Sequence, residues 1–252
     1  MVKNVFITGA TSGFGEAAAE KFAAEGHNLV ITGRREERLK AISERLQSAY
    51  NVKIKTLVFD VRNRGQVFES VRSLPEEWKY IDILINNAGL ALGRDFIDEG
   101  DIDDWDAMID TNIKGLLYVS KAVIPLMTAR NKGHIINLGS VAGKEVYEKG
   151  NVYCGTKFAV KAISKSMRID LLRHGIKVTA IHPGAAETEF SLVRFHGDAE
   201  KAADIYKGFT PLTGKDVADV IYYTTTLPEH VCINDLVLTP LQQADAIFFN
   251  KK

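Results

Sequence analysis

Thr8-Gly9-Ala10-Thr11-Ser12-Gly13-Phe14-Gly15 (TGATSGFG) is the stretch that decides the fold of this chain. It closes a short run of β-branched and aromatic residues, Asn4 to Thr8, and leads into Glu16 to Glu25, whose Ala and Phe positions have helical spacing. This order predicts a strand, a glycine turn and a helix. Glycines let a backbone approach a phosphate closely, and the free N–H groups at a helix N-terminus attract anionic oxygens. The turn is therefore a candidate pyrophosphate site, although a glycine-rich turn can also serve only to reverse the chain.

Beyond this unit, strand-like and helical patterns alternate along the chain. Further strands are predicted at residues 28–32, 53–59, 81–85, 134–138, 177–181 and 235–238, and further helices at 36–49, 63–74, 102–130, 152–172 and 213–226. Such alternation is typical of a parallel sheet with helices on both faces and ligands at the carboxyl ends of its strands. No repeat or linker interrupts it, so we expect a single α/β domain over residues 1–252.

Residues 185–206 depart from this alternation, because their periodicity is weak and their polarity is mixed. They follow the strand at 177–181, and a segment at the carboxyl end of a strand is well placed to cover a substrate. We therefore expect a substrate-covering segment near residues 185–210.

Composition argues against several classes of function. The chain has 252 residues, and its 32 Lys and Arg balance 32 Asp and Glu, which leaves no bulk positive field for nucleic acid or anionic lipid. Cys154 and Cys232 form no metal-ligand spacing and no disulfide framework, as expected in a reducing compartment. Gly9 interrupts the N-terminal apolar run too early for a signal sequence or a membrane span. We expect a cytoplasmic protein without a nucleic-acid, membrane or metal partner.

Two arginines follow the second predicted strand. Arg34 and Arg35 stand where a dinucleotide-binding fold that prefers NAD usually has a carboxylate for the ribose 2′-hydroxyl. Guanidinium groups match phosphate geometry, so the pair favours the 2′-phosphate of NADP. The alternative is that both are solvated charges that pair with Glu36 and Glu37.

Polar and small residues close other predicted strands. Asp60 follows the third strand, where it would hydrogen-bond an adenine amino group or cap the next helix. Asn86-Asn87-Ala88-Gly89 follow the fourth strand and would let a ligand lie close to the backbone. Asn112 lies within the helical pattern at 102–130, and because asparagine suits a helix interior poorly, we expect it to bond the backbone locally or to hold a water.

Tyr153 and Lys157 are four residues apart on the predicted helix at 152–172 and so share one of its faces. A neighbouring ammonium group favours the phenolate and lowers the pKa of a tyrosine. The pair is a candidate general acid or base, although the same spacing is common on amphipathic helices that have no chemical role.

With these residues assembled, the chain resembles the short-chain dehydrogenase/reductase family over essentially its full length. The matching motifs are Thr8 to Gly15, Asp60-Val61, Asn86 to Gly89, Asn112, Ser140, Tyr153 with Lys157, and Pro183-Gly184. The resemblance implies a single-domain, doubly wound Rossmann fold whose seven parallel strands are ordered 3-2-1-4-5-6-7. It also implies a homotetramer that forms through the two long helices around Asn112 and Tyr153.

The same resemblance implies the site residues. The implied catalytic quartet is Asn112, Ser140, Tyr153 and Lys157. The implied cofactor-binding residues are Gly9, Thr11, Ser12, Gly13, Phe14, Gly15, Arg34, Arg35, Asp60, Val61, Asn87, Ala88, Gly89, Tyr153, Lys157, Pro183, Gly184 and Thr188. Thr11 and Ser12 stand where members that prefer NADP often have a basic residue, so the expectation of NADP depends mainly on Arg34 and Arg35.

A narrower resemblance concerns substrate. The stretches NNAGLALG at 86–93, GHIINLGS at 133–140 and TEFSLVRF at 188–195 are similar to those of NADP-dependent 3-hydroxy acid dehydrogenases. Such enzymes oxidise the 3-hydroxyl of serine or related acids such as 3-hydroxyisobutyrate, and reduce the corresponding semialdehydes. Arg194 is the candidate partner of the substrate carboxylate, because its planar fork binds carboxylates at two points. The alternative is that Arg194 is a surface or subunit-contact residue.

Two other functions fit the same motifs. One is an NADPH-dependent carbonyl reductase for bulkier ketones or a 3-oxoacyl thioester reductase. The other, from a different class, is a non-catalytic NADP-sensing protein, although a sensor has no need for all four catalytic residues. The apolar tail residues Ile247, Phe248 and Phe249 either pack between subunits or close the core.

Overall fold

The computed structural model describes residues 2–252. The helices and strands alternate as the sequence predicts. The strands are β1 Asn4–Ile7, β2 Asn28–Gly33, β3 Ile54–Val58, β4 Ile83–Asn86, β5 Gly133–Leu138, β6 Ile176–Pro183 and β7 Asp235–Leu238. The α-helices are α1 Gly13–Ala24, α2 Glu36–Tyr50, α3 Arg64–Arg72, α4 Ile102–Ile109, α5 Leu116–Thr128, α6 Asn151–Leu171, α7 Glu189–Arg194, α8 Ala199–Asp204 and α9 Gly214–Thr226.

All seven strands form one parallel sheet in the order β3-β2-β1-β4-β5-β6-β7. The chain runs outward from β1 to β3, then returns to the other side of β1 at β4. Ligands of open α/β sheets bind at such a reversal, in the crevice outside the carboxyl ends of the strands. The predicted Rossmann fold and strand order are confirmed.

Side chains of β1 alternate between two hydrophobic cores, one on each face of the sheet. Val5 and Ile7 pack into the core on one face with Ala18 and Phe22 of α1. Phe6 points the other way, into a core that includes Val123 of α5. Because successive residues of a strand point to opposite faces, a continuous apolar run is what a strand buried on both faces requires.

The predicted helix at 102–130 is interrupted. A π-helical turn, Asp110–Gly115, separates α4 from α5 and carries Asn112. The apolar spacing predicted one continuous helix over 102–130 and did not reveal this turn. π-Helical turns of this kind occur frequently at functional sites.

Residues 185–206 and the C-terminal tail lie outside the regular alternation of strands and helices. The weakly periodic segment 185–206 contains the short helices α7 and α8. The tail residues Ile247 and Phe248 are 55% and 67% exposed, so they do not close the core of this chain. Among residues 2–252, none of the helices combines the length and the apolar character needed to cross a membrane.

Candidate active site

A cleft of about 1100 Å³ opens at the carboxyl ends of the strands and is the large cavity of the described residues. All but two of the predicted site residues line it, including Gly9, Ser140, Tyr153, Lys157 and Arg194. The exceptions are Gly15 and Asn112, whose neighbours Phe14 and Thr111 line the cleft. The topology thus brings together motifs that are up to 185 residues apart in the sequence.

The glycine turn lies at one end of this cleft and has a backbone that side chains would disturb. Gly9 and Gly13 adopt φ values of +65° and +56°, in the left-handed region that favours glycine. A Cβ on Gly15 would lie 2.2 Å from the carbonyl oxygen of Gly9, so only glycine lets α1 pack this closely. The amide of Asn87 donates to the carbonyl oxygens of Thr8 and Gly9 at 2.9 and 3.1 Å. A rigid turn at a helix N-terminus is suited to a pyrophosphate group.

Arg34 and Arg35 point in different directions from the end of β2. Arg35 donates from Nε to Thr11 Oγ1 at 3.1 Å and from Nη2 to Ser12 Oγ at 2.9 Å, so it lies against the glycine turn. Arg34 lies 3.7 Å from Asp60 and is largely exposed. The interpretation that Glu36 and Glu37 pair with these arginines is wrong, because the acidic partners are Asp60 and, for Arg35, Glu189.

Asp60 does not cap the next helix, since Asn63 is the N-cap of α3 and accepts from Gln66 N at 3.1 Å. Asp60 instead binds the side chain of Arg62, with Nη2 to Oδ2 at 2.7 Å. Burial opposes ionisation of Asp60, but the hydrogen bonds from Arg62 outweigh it and lower its pKa. The carboxylate is therefore charged, and both of its oxygens accept hydrogen bonds from Arg62.

Ser140 and Tyr153 lie close to each other in the lining of the cleft. Ser140 begins a short 3₁₀ turn, Val141–Gly143, and its Oγ accepts from Ala142 N at 3.1 Å. That turn packs directly on α6, because a Cβ on Gly143 would lie 2.5 Å from the carbonyl oxygen of Lys157. Close packing fixes the Ser140 hydroxyl against the Tyr153 phenol.

Burial raises the pKa of Tyr153 above its usual range; the nearby Tyr147 adds to this, while the Ser140 hydroxyl and the charge of Arg194 oppose it. Burial also lowers the pKa of Lys157 to about 8. Lys157 Nζ lies 5.8 Å from the centre of the Tyr153 ring and donates to Leu138 O at 2.9 Å. Tyr153 and Lys157 lie close together, as predicted. The pKa of Tyr153 is raised rather than lowered, however, because the effect of burial exceeds that of the neighbouring charge.

Asn112 bonds residues outside its own helix. Its Oδ1 accepts from Leu90 N at 2.9 Å, and its Nδ2 donates to Leu90 O at 2.8 Å and to Thr156 Oγ1 at 3.0 Å. The expectation of a local backbone bond is therefore wrong. A Cβ on Gly89 would lie 3.2 Å from Asn112 Oδ1 and 3.6 Å from Lys157 Nζ, so both polar atoms face the same small space.

Arg194 is 8% exposed, and the alternative that it is a surface residue of this chain is wrong. Its Nε donates to Gly93 O at 3.3 Å and its Nη2 donates to Tyr147 Oη at 3.2 Å. The guanidinium carbon lies 5.6 Å from the centre of the Tyr153 ring. A permanent positive charge therefore stands beside the phenol, inside the cleft.

Several residues at the site escaped the sequence reasoning. Tyr147 lies in the loop between Ser140 and Tyr153, and the ring of Phe190 in α7 is 5.8 Å from that of Tyr153. His182 is fully buried behind the Ser140 turn, with Nδ1 at 3.2 Å from Ser140 O and Nε2 at 3.2 Å from Asp235 Oδ2. His182 stands at the end of a predicted strand and Phe190 lies in the predicted covering segment, whereas no sequence signal pointed to Tyr147.

The described residues contain no group of three or more His, Cys, Asp or Glu side chains arranged to hold a metal ion.

Comparison with known proteins places the chain in a family. A family model described as short chain dehydrogenase matches residues 3–197. The chain is 47% identical over 243 residues to the NADP-dependent 3-hydroxy acid dehydrogenase YdfG of Salmonella typhi, covering 96% of each protein. It is 46% identical to sulfoacetaldehyde reductase 2 of Chromohalobacter salexigens, over 97% of this chain and 96% of that one.

The fold of the chain is also similar to that of a solved structure. The closed form of a serine dehydrogenase complexed with NADP⁺ superimposes with a TM-score of 0.91 at 48% identity, over 96% of this chain and 97% of that chain. The match of the family model over more than three quarters of the sequence, together with relatives of this identity, shows that the chain belongs to the short-chain dehydrogenase family.

Proposed function

We propose that this protein is an NADP-dependent dehydrogenase that oxidises the 3-hydroxyl of small 3-hydroxy acids, of the serine and 3-hydroxyisobutyrate type, and reduces the corresponding semialdehydes. The observation that carries the proposal is the guanidinium group of Arg194, 5.6 Å from the ring of the proposed proton-transfer residue Tyr153. A cation at that distance suits a substrate whose carboxylate and reacting carbon are only two bonds apart. The names of the similar proteins from Salmonella typhi and in the solved complex support this substrate class.

The cleft has the features that NADP requires. The glycine turn would hold the pyrophosphate, Arg34 and Arg35 would hold the 2′-phosphate, and Asp60 and Val61 would contact the adenine. Asn87, Ala88 and Gly89 line the middle of the cleft, and Pro183, Gly184 and Thr188 line the side nearest α7. The chemistry that bound NADP supplies is hydride transfer to or from the substrate carbon.

Tyr153 would take the substrate hydroxyl proton at Oη during oxidation and return it during reduction. Ser140 would hydrogen-bond the substrate oxygen and orient it toward Tyr153. Since burial raises the pKa of Tyr153, the phenolate needs positive charge nearby, and Arg194 and Lys157 are the cations that supply it.

Lys157 would bind the nicotinamide ribose hydroxyls with the N–H groups that Leu138 leaves free. Asn112 keeps one Oδ1 lone pair beyond its bond to Leu90, and a water held there would link Lys157 to solvent. The carboxylate of the substrate would accept from Arg194 Nη1, the edge that Gly93 and Tyr147 do not use.

A sulfonate substrate is the second candidate, favoured by the 46% identity to a sulfoacetaldehyde reductase. A sulfonate carries the same single negative charge on oxygens that accept from a guanidinium group. The identity of the anion, rather than the reaction, distinguishes the two candidates.

The whole chain would act as one catalytic domain, with residues 185–210 covering the substrate. We further propose a homotetramer in the cytoplasm. Exposed apolar residues on the two long helices, such as Leu117 and Phe158, support an assembly through them, and two unpaired cysteines suit a reducing compartment. Size-exclusion chromatography with light scattering tests the assembly, which a monomer would contradict.

An NADPH absorbance assay tests the reaction. The panel contains serine, 3-hydroxyisobutyrate, malonic semialdehyde, sulfoacetaldehyde, an uncharged aldehyde and a 3-oxoacyl thioester. We expect turnover of the 3-hydroxy acids and semialdehydes, with the uncharged aldehyde a poor substrate. Higher kcat/KM for the thioester would favour the carrier-linked reductase, and NADPH binding without turnover of any compound would favour a sensor.

A further inference from the structure

Glu189, the first residue of α7, connects the proposed substrate-covering segment to the proposed 2′-phosphate site. Its Oε2 accepts from Arg35 Nη1 at 3.1 Å, and its Oε1 accepts from Arg38 Nη1 at 2.8 Å. Arg35 ends the β2 region and Arg38 lies in the first turn of α2, so one carboxylate joins elements that are about 150 residues apart. The covering segment is therefore held at the adenosine end of the cleft by charge.

The hydrogen bonds of Arg35 are already divided between the glycine turn and Glu189. Nε and Nη2 donate to Thr11 and Ser12 of the glycine turn, which fixes the plane of the guanidinium group. Nη1 points at Glu189. A phosphate that binds Arg35 must therefore share or take the edge that Glu189 occupies.

Glu189 is itself an anion and would compete with a phosphate for Arg35. Burial opposes its ionisation, but hydrogen bonds from Arg38 and Arg35 outweigh burial and lower its pKa, so the group is a carboxylate at neutral pH. A doubly charged phosphate beside that carboxylate would be repelled, because like charges a few ångströms apart raise the free energy of the complex. Arg38 gives Glu189 a second partner to which it can move.

We propose that Glu189 sets the discrimination between cofactors with and without a 2′-phosphate, because it competes with that phosphate for Arg35. The 2′-phosphate displaces Glu189 from Arg35 and leaves it on Arg38, whereas a cofactor with a free 2′-hydroxyl leaves the ion pair intact. The proposal rests on the proposed function, in which Arg34 and Arg35 receive the 2′-phosphate of NADP.

The covering segment responds to this exchange of partners. Thr188, directly before Glu189, packs over the glycine turn, since a Cβ on Gly13 would lie 3.6 Å from Thr188 Cβ. Thr188 Oγ1 also accepts from Phe190 N at 3.2 Å and so begins α7. Movement of Glu189 away from Arg35 therefore loosens the segment that carries Phe190 and Arg194 to the substrate.

Calorimetric titration with 2′,5′-ADP and 5′-AMP tests the competition without turnover. In Glu189→Gln we expect 2′,5′-ADP to bind about three- to tenfold more tightly than in wild type, because the partly exposed Arg35–Glu189 ion pair no longer opposes it. The affinity for 5′-AMP, which has no 2′-phosphate, stays the same. Glu187→Gln is the matched control, because it removes an exposed carboxylate two residues away that has no arginine partner, and it leaves both affinities unchanged.

Unchanged or weaker binding of 2′,5′-ADP to Glu189→Gln would overturn the proposal while leaving the cofactor assignment intact. If wild type binds 2′,5′-ADP no more tightly than 5′-AMP, the assignment of the 2′-phosphate to Arg34 and Arg35 fails, and the proposal fails with it.

Hydrogen–deuterium exchange tests the connection to the covering segment. We expect 2′,5′-ADP, but not 5′-AMP, to raise the exchange of amides in residues 189–198 of wild type. In Glu189→Gln that exchange is already high without ligand and does not respond to 2′,5′-ADP. Equal protection in wild type and variant, with and without 2′,5′-ADP, would show that Glu189 does not hold the segment.

Discussion

The side-chain nitrogen of Lys157 lies 2.9 Å from the carbonyl oxygen of Leu138, which ties α6 to the end of β5. Ser140 follows Leu138 by two residues. The same contact therefore also fixes the distance from Ser140 to Tyr153 and Lys157 on α6. The ammonium group is buried at this position. Its pKa is lowered to about 8 because burial makes the charged form less favourable.

We predict that Lys157→Met raises the free energy of unfolding at pH 7. The folded-state pKa of about 8 lies below the unfolded value of about 10.4, so the unfolded chain binds more protons between these pH values. Stability therefore increases as pH rises from about 8 to about 10, and below 8 the full cost is present. The variant removes that cost and loses one hydrogen bond, for a net gain of about 1–3 kcal/mol.

Urea unfolding at pH 7 and pH 9.5 checks this. The gain should be smaller at pH 9.5, because part of the cost has already disappeared in wild type. A variant that is less stable at pH 7 by the same amount as at pH 9.5 would show that Lys157 is not strained by its burial.

His134 should make the protein sensitive to mild acid. It lies in β5 with Nε2 2.7 Å from Thr179 Oγ1, and burial lowers its pKa to about 3. The unfolded chain takes up this proton near pH ~6.5, so stability falls as pH falls below that value, by about 2 kcal/mol between pH 7 and pH 5. His134→Gln should show a shallower decline over this range in urea unfolding. His230→Gln, at an exposed histidine, should keep the wild-type decline, and an equal decline in His134→Gln would contradict the assignment.

Tyr153→Phe should lower kcat by about 10²- to 10⁴-fold, since it removes the only proposed proton donor and acceptor. NADPH binding, measured by fluorescence titration, should change by less than about twofold, because the ring and its packing on Phe190 remain. Activity within tenfold of wild type would refute the proton-transfer role.

Arg194→Met should raise KM for anionic substrates by about 10- to 100-fold, the range expected for loss of a charged hydrogen bond. Methionine keeps much of the buried stem, and KM for an uncharged aldehyde should change little. Steady-state kinetics with malonic semialdehyde and propanal separate the two effects. Equal changes for both substrates would mean that Arg194 supports the shape of the cleft rather than binding the anion.

Gly15→Ala should lower the stability of the protein, whereas Gly155→Ala should raise it. A Cβ at Gly15 would lie 2.2 Å from Gly9 O and 2.4 Å from Asn87 Nδ2, so the turn must shift, with a loss of about 1–3 kcal/mol and weaker NADP binding. A Cβ at Gly155, exposed on α6, meets nothing within 4 Å, so alanine should stabilise the helix by about 0.5–1 kcal/mol. Thermal unfolding with and without NADP measures both, and a loss of stability in Gly155→Ala would show an unrecognised contact on that face.

Local signals account for what the sequence predicted well. Each strand, each strand-end motif and the Tyr153 and Lys157 pair is a short pattern whose meaning depends on neighbours a few residues away. Parallel topology then brings the strand ends together without further information. This is why the fold and the lining of the cleft were predictable.

The rest depends on contacts between distant residues. Nothing near Arg35 indicates that its partner is Glu189, 154 residues later. The pKa of Tyr153 follows from the sum of its surroundings in the folded chain, which a four-residue spacing does not describe. The bonds of Asn112 to Leu90 likewise required the position of a separate loop.

The π-helical turn Asp110–Gly115 holds one residue more than a regular helix needs. Removing one residue there would let α4 and α5 join into an ordinary helix with their faces still aligned, whereas a deletion elsewhere in either helix would rotate everything after it by about 100°. Asn112 lies within this turn and bonds Leu90 and Thr156 from it. A chain one residue shorter at this turn could therefore keep its architecture while losing the contacts of Asn112 with Leu90 and Thr156.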